Sequence, residues 1–333
     1  MKTDSPAQNQ HRASRGRRIR LTVAGLILAL TAGAGFFGVV ERTRTNAAAD
    51  PYVMTRLTAP DRTTVSDRQG HWLATFTNQA RTVQVAGAAR TFSEARTTRA
   101  SVTHDTWIRI LPRPFDGTVD QAWLTRELAD TSPDILAIAM QYIYKAPRTL
   151  VGGQAIAGDA SYGPEVAGRR KEGSDFSDYL GVPWIYGGIV DPPEAAQINA
   201  MDCSGYMRMV WGYRGGMRLG GPHDAASSEA IPRRAYEIQA EAPGIIITPD
   251  THTQVKDFSK LAIGDIVFFD GSTNDGQRID HNGMYLGRDT KGHYRFISSR
   301  KSADGPTMGD VGGSSILDGY GHYALAYRSE RRF

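Results

Sequence analysis

The chain has 333 residues, 40% of them hydrophobic and 22% charged, with a formal net charge of +4; this allows two domains and is the composition of a folded protein, which sets aside disordered and fibrous classes. The charge is uneven: residues 1–45 carry eight basic and two acidic side chains, a balance of +6 that leaves −2 for everything after them, so the folded part has no basic excess with which to bind nucleic acid. One cysteine in the whole chain excludes an intramolecular disulfide and a zinc–thiolate cluster, and with no two histidines at helical spacing neither a metal nor a cofactor is expected.

Arg12, Arg15, Arg17, Arg18 and Arg20 precede residues 21–40, twenty positions without a charge. Such a run is long enough to span a bilayer, with the arginines held on the cytoplasmic side. A cleaved export signal is the alternative, with small residues at 32–34 or 47–49 as its cutting site. Both readings put the rest of the chain outside the cytoplasm, either tethered to the cell membrane by one helix or secreted.

Residues 46–115 read as a small β-rich module. Alternating or β-rich stretches at 72–76, 82–85 and 107–111 are punctuated by Gly87 and a threonine-rich segment at 97–103. His71 and His104 stand alone there, and no acidic or histidine grouping suggests a site. Pro112-Arg113-Pro114 marks a boundary, and residues 116–333 form the second domain. Two helical stretches open it, at 119–128 and 133–144; in the second, Ile135, Leu136, Ile138, Ala139 and Tyr142 make an apolar face. Glycine-rich loop sequence at 152–173 then leads to the region of the cysteine.

That cysteine lies in Asp202-Cys203-Ser204-Gly205-Tyr206. The apolar positions Tyr206, Met207, Val210 and Trp211 follow at helical spacing, so Cys203 begins a helix on its buried face. Asp202 is placed to cap it, and Gly212, Gly215 and Gly216 end it. A thiol in a first helical turn feels the positive end of the dipole, which favours the nucleophilic thiolate. A buried cysteine also serves as a small core residue, so the position alone leaves both roles open.

A thiol nucleophile needs a base. His223 and His252 occupy polar loops, whereas His281 opens His-Asn-Gly-Met-Tyr-Leu-Gly, a strand with His281, Gly283 and Tyr285 on one face and Met284 and Leu286 on the other. A ring on a rigid strand beside a glycine suits catalysis, although a polar histidine starting an edge strand is the plainer reading. Gly287 and Gly292 bracket a turn, with 294–299 as the returning strand. Pairing those glycines places His281 opposite Ser298, both on one face; a one-residue slip brings up Ser299 instead.

Four blocks in order carry a family resemblance: Leu180-Gly-Val-Pro-Trp-Ile-Tyr186-Gly187-Gly188; Asp202-Cys203-Ser204-Gly205; Ile231-Pro232-Arg233 with Gln239; and Leu261-Ala-Ile-Gly264-Asp265-Ile-Val-Phe268-Phe269 followed by His281-Asn-Gly-Met-Tyr-Leu-Gly287. From about residue 132 to the end the chain resembles the NlpC-type cell-wall cysteine peptidases. The resemblance implies an α+β, papain-like domain in which the helix bearing the nucleophile packs on an antiparallel sheet. It implies that Cys203 attacks a carbonyl, that His281 activates it, and that Ser298 occupies the third, ring-orienting position. Tyr186 matches an aromatic beside the nucleophile, while Asp202 and Ser204 support the helix start, whose N–H groups face an oxyanion. Asn282 departs from the usual aliphatic residue after the histidine. The implied partner is peptidoglycan, cut between D-glutamate and a diamino acid of the peptide stem. A papain-like amidase cutting the glycan–peptide bond, and a wall-binding protein with an inactive fold, are the alternatives. The module at 46–115 is compatible with a spacer, a wall-binding unit or a cover over the cleft.

Overall fold

Two antiparallel sheets organise the computed structural model, which describes residues 51–221 and 229–333. The apolar run expected at 21–40 and His223 lie outside those residues. Among the described residues no helix is long and apolar enough to cross a membrane.

The first sheet is a meander of β1 (Val53–Leu57), β2 (Arg62–Ser66), β3 (Trp72–Thr77), β4 (Thr82–Ser93) and β5 (Ser101–Ile110), each paired with the next. The stretches expected at 72–76, 82–85 and 107–111 fall in β3, β4 and β5; β4 and β5 run further than their apolar residues suggest. Val65, Ala74, Phe76, Val83 and Val85 pack with Leu111 and Phe115 against Trp123 and Leu124. The last two belong to α1 (Gln121–Ala129), whose first turn is capped by Asp120. Helix α2 (Ile135–Met140) starts on Asp134 but ends earlier than its apolar spacing implies. The next carbonyls, of Gln141 and Tyr142, accept from Gly158 N and Ala160 N, which turns the chain out of the helix.

Short hairpins follow, β6 (Thr149–Val151) with β7 (Gln154–Ala157) and β8 (Glu165–Val166) with β9 (Arg169–Arg170). Helix α3 (Phe176–Leu180) leads into the hairpin of β10 (Trp184–Tyr186) and β11 (Ile189–Asp191). Helix α4 (Cys203–Met207) continues into a π-helical stretch at Arg208–Arg214 that ends at Gly215. After α5 (Ala235–Glu241) come β12 (Ile245–Thr248), β13 (Ile266–Phe269), β14 (His281–Arg288), β15 (Tyr294–Arg300), β16 (Gly305–Thr307), α6 (His322–Ala326) and β17 (Tyr327–Arg332). These strands form the second sheet in the order β12-β17-β13-β14-β15-β16. Tyr206, Met207, Val210 and Trp211 pack with Ile266, Phe268, Met284, Leu286 and Ile297 in one core. The fold is therefore sheet-rich α+β, with the cysteine helix lying on the sheet that carries His281.

The two sheets share that core, because Phe92, Val102 and Ile108 of β4 and β5 belong to it. The C-terminal strand ties them further. Arg81 N and Thr82 N donate to the Phe333 carbonyl at 2.9 and 2.7 Å, and Arg332 reaches Thr77 Oγ1 at 2.8 Å while its guanidinium pairs with buried Asp265. Deleting residues 51–115 uncovers apolar surface and unpairs these groups, so the remainder is expected to lose cooperative thermal unfolding. A two-state melt within about 5 °C of the parent would show that the module is dispensable.

Candidate active site

A cleft of about 720 Å³ opens where the start of α4 meets the start of β14, and Cys203 and His281 both line it. The helix start follows from local chemistry. Asp202 has extended backbone and its Oδ1 accepts from Gly205 N at 2.8 Å, which satisfies one of the N–H groups that a helix leaves unpaired. Gly205 is there for space: a Cβ at that position would stand 2.3 Å from the Ser174 carbonyl oxygen and 3.0 Å from Asp175 Cα. Backbone cannot swing aside as a side chain can. Gly205→Ala is therefore expected to lower stability by about 1–3 kcal/mol, measured by chemical denaturation; an unchanged midpoint would mean that the helix start shifts freely.

The Asp202 carboxylate is buried among partners. Arg233 donates to it from both terminal nitrogens, at 3.1 Å to Oδ1 and 2.8 Å to Oδ2, and to Ser204 Oγ at 2.8 Å. Gly173 N adds a bond to Oδ2 at 3.0 Å. Burial pushes this carboxyl up, but Arg233 and the N–H groups overcome it and hold the group below the ordinary carboxylate range. Asp175 continues the network, taking Arg208 Nε on both oxygens at 3.0 Å. Asp202 and Ser204 thus lock the helix start to α5 through Arg233, the arginine of the Ile-Pro-Arg block.

Cys203 is 6% exposed. Its sulfur lies 3.9 Å from the carbonyl oxygen of Asp280, the residue before His281. Burial pushes the thiol up and the charge of Asp202 adds to it, while the Asn282 N–H acts the other way.

His281 begins β14 opposite Phe269, with ring centroids 5.8 Å from Phe269 and 5.4 Å from Tyr323. Gly283, two positions on, admits the neighbouring strand: a Cβ there would stand 2.6 Å from the Ile297 carbonyl oxygen. Burial pushes His281 down to about 3, and Arg300 and His322 push it the same way.

The expected pairing of His281 with Ser298 does not form. Met284 pairs with Ile297 and Tyr285 with Phe296; a bulge follows, and Gly287 then pairs with Arg295 and Arg288 with Tyr294. The turn is longer than two glycines imply, because Asp289 Oδ1 accepts from Lys291 N and His293 N while Asp289 Oδ2 accepts from buried Arg295. Continued to the strand end, this register aligns Arg300 with His281. The displacement is two residues, so Ser298 keeps the same face, but its hydroxyl accepts from Arg300 Nε at 3.1 Å. Ser299 faces the opposite way and donates to the Met201 carbonyl at 2.6 Å, bracing the residue two before Cys203.

Tyr186 sits in β10 against Trp184, ring centroids 4.4 Å apart, and does not line the cleft. Tyr162 does. Burial raises its hydroxyl, and the charges of Cys203 and Asp202 add to that. Its segment is held by Met201 N donating to the Ser161 carbonyl at 2.8 Å and Ser161 N to that of Asn199 at 3.0 Å. A lone tyrosine in glycine-rich loop sequence gave no signal of this. Arg300 and Tyr323 were equally hidden, because their positions depend on strand register and on α6.

Three carboxylates, Asp270, Asp275 and Asp280, converge beside the cleft. Each has a partner within the protein: Asp280 accepts from Gly271 N and Ser272 N, Asp270 faces Arg328 at 3.6 Å and Asp275 faces Arg278 at 3.9 Å.

Residues 181–307 match the family model of the NlpC/P60 family. The structure is similar to the crystal structure of a Staphylococcus aureus protein described as similar to a lipoprotein of the NLP/P60 family, with 18% sequence identity and a TM-score of 0.28. That likeness covers 66% of this chain and 50% of the other, so the chain spans about half the length of that protein. No curated protein matches the chain.

Proposed function

The chain belongs to the NlpC/P60 family through residues 181–307, and from that premise we propose that it is an extracytoplasmic cysteine endopeptidase acting on the peptide stems of peptidoglycan. The observation that carries the reading is the meeting of Cys203, at a capped helix start, with His281, at a strand start, in one cleft. The thiol proton passes to the neutral imidazole as the sulfur bonds to the scissile carbonyl carbon. The N–H groups of Cys203 and Ser204, the first of the helix and so without intrahelical acceptors, face the developing oxyanion. The imidazolium then protonates the leaving amine, and water activated by the same ring hydrolyses the thioester. Asp202, Ser204 and Arg233 act by position, holding the helix start in register with β14.

The bond between D-glutamate and the diamino acid is the one assigned to this site. The run at 21–40 serves as a membrane anchor, or as an export signal if it is cleaved, and presents the domain to the wall. Digestion of defined muropeptides followed by mass analysis tests the assignment. Fragments ending in D-glutamate support it. Release of intact stems from the glycan would identify an amidase instead, and wall binding without any cleavage would leave only the scaffolding alternative.

A further inference from the structure

Arg300 is a buried cation beside the base. It is 1% exposed, and the β14–β15 register, continued past the Met284–Ile297 pair, aligns it with His281 on the same face. Its Nε donates to Ser298 Oγ at 3.1 Å, and its terminal nitrogens donate to the carbonyls of Val311 and Gly313 and to Ser315 Oγ. The guanidinium lies 4.6 Å over the Tyr323 ring, and that same ring contacts His281. Among the described residues no carboxylate pairs with it; Glu94 and Asp310 act on it only from a distance. The loop that holds it is itself clamped by the first sheet's connection, where Glu94 Oε2 accepts from Thr307 Oγ1 at 2.7 Å and Met308 N at 2.8 Å.

Among the groups around His281, the charge of Asp202 acts against that of Arg300. From α4 come Cys203 and Asp202, the latter committed to Arg233. Lys301 stands at the end of β15, α6 brings His322 and Tyr323, and β13 brings only Phe269. Asp280, the preceding residue, turns its carboxylate to Gly271 N and Ser272 N. His281 Nε2 is buried with no hydrogen-bond partner among the described residues. A guanidinium has no lone pair to offer it.

We propose that Arg300 is a positioning residue that stands where a ring-orienting acceptor would be and, through its charge and the shared Tyr323 ring, keeps His281 a neutral imidazole. The enzyme then works from a neutral thiol–imidazole pair, with the proton moving only as sulfur attacks, and not from a preformed thiolate–imidazolium pair. This rests on the reading of His281 as the base for Cys203.

The test reads the imidazole directly. Histidine-labelled full-length protein is followed by NMR, with His281→Asn for assignment, alongside iodoacetamide alkylation of Cys203 against pH. At about pH 6 the wild-type ring is expected to show the neutral signature, and alkylation there to run at least about tenfold slower than at about pH 9. Arg300→Gln, which keeps a donor for the loop carbonyls without the charge, is expected to bring in the imidazolium signature and speed alkylation about tenfold at the lower pH, while Arg300→Lys stays with the wild type. A wild-type imidazolium at that pH, or a glutamine variant indistinguishable from wild type, overturns the proposal. Should the glutamine variant not fold, the wild-type ring still decides, neutral for and charged against. A neutral ring without muropeptide cleavage would sink the peptidase reading alone; a charged ring in an active enzyme would sink this one alone.

Discussion

Replacing Cys203 with alanine is expected to stop release of peptide fragments from purified cell wall, a loss of about a thousandfold or more, while the protein stays folded. The asymmetry comes from what the sulfur touches. Its hydrogen-bond contact is a long one to the Asp280 carbonyl, so truncation breaks no strong bond. The helix start meanwhile remains held by Asp202 and Arg233. Fragment release is followed by chromatography of the soluble products, and folding by the thermal midpoint. Equal release by the alanine variant would end the thiol mechanism. His281→Ala is expected to lose activity on the same scale with the same assay.

Arg233→Ala acts on stability and reactivity together. The guanidinium joins Asp202, Ser204 and, at 3.6 Å, Asp175. Asp202 and Asp175 are 4% and 6% exposed, so water does not replace the lost partner. Asp202 is left as an uncompensated buried carboxylate, and breaking such a pair costs about 3–5 kcal/mol. The same carboxylate already raises the Cys203 thiol; freed of Arg233, it raises it further and slows alkylation. Chemical denaturation gives the first effect and iodoacetamide kinetics the second. A destabilised variant with unchanged alkylation would separate the structural role from the electrostatic one and refute the coupling. Arg233→Lys keeps the charge but loses the two-oxygen grip, and falls between the two.

The parts of the site that were legible in the sequence are those set by neighbours along the chain. Asp202 caps because its side chain reaches the N–H three residues on, and the apolar spacing after Cys203 marks the face that meets the sheet. The alternation from His281 to Leu286 is a strand in the structure, with Met284 and Leu286 in the core beneath the helix. The pair Cys203 and His281 was therefore recoverable from local pattern and family likeness. Strands β1 and β2 were not, because β2 has Val65 as its one apolar residue and β1 is exposed along its length.

Ser298 and Tyr186 show where local reasoning stops. The partner of His281 across the ladder depends on one bulge and on the length of a turn, and both are set by Asp289 bonding to that turn and to a buried arginine six residues away. A shift of two residues leaves the alternation intact, so no pattern in the strand betrays it. Tyr186 is in the block before Cys203, yet its hairpin sets it at a tilt against Trp184, and Tyr162 reaches the cleft from loop sequence far upstream. The helix start at Cys203 and the strand start at His281 were legible in the spacing of single segments, since both are local events. The placement of Arg300 beside His281 required the sheet, the bulge and the loop at 305–315 to be assembled around it, since long-range packing alone brings them together.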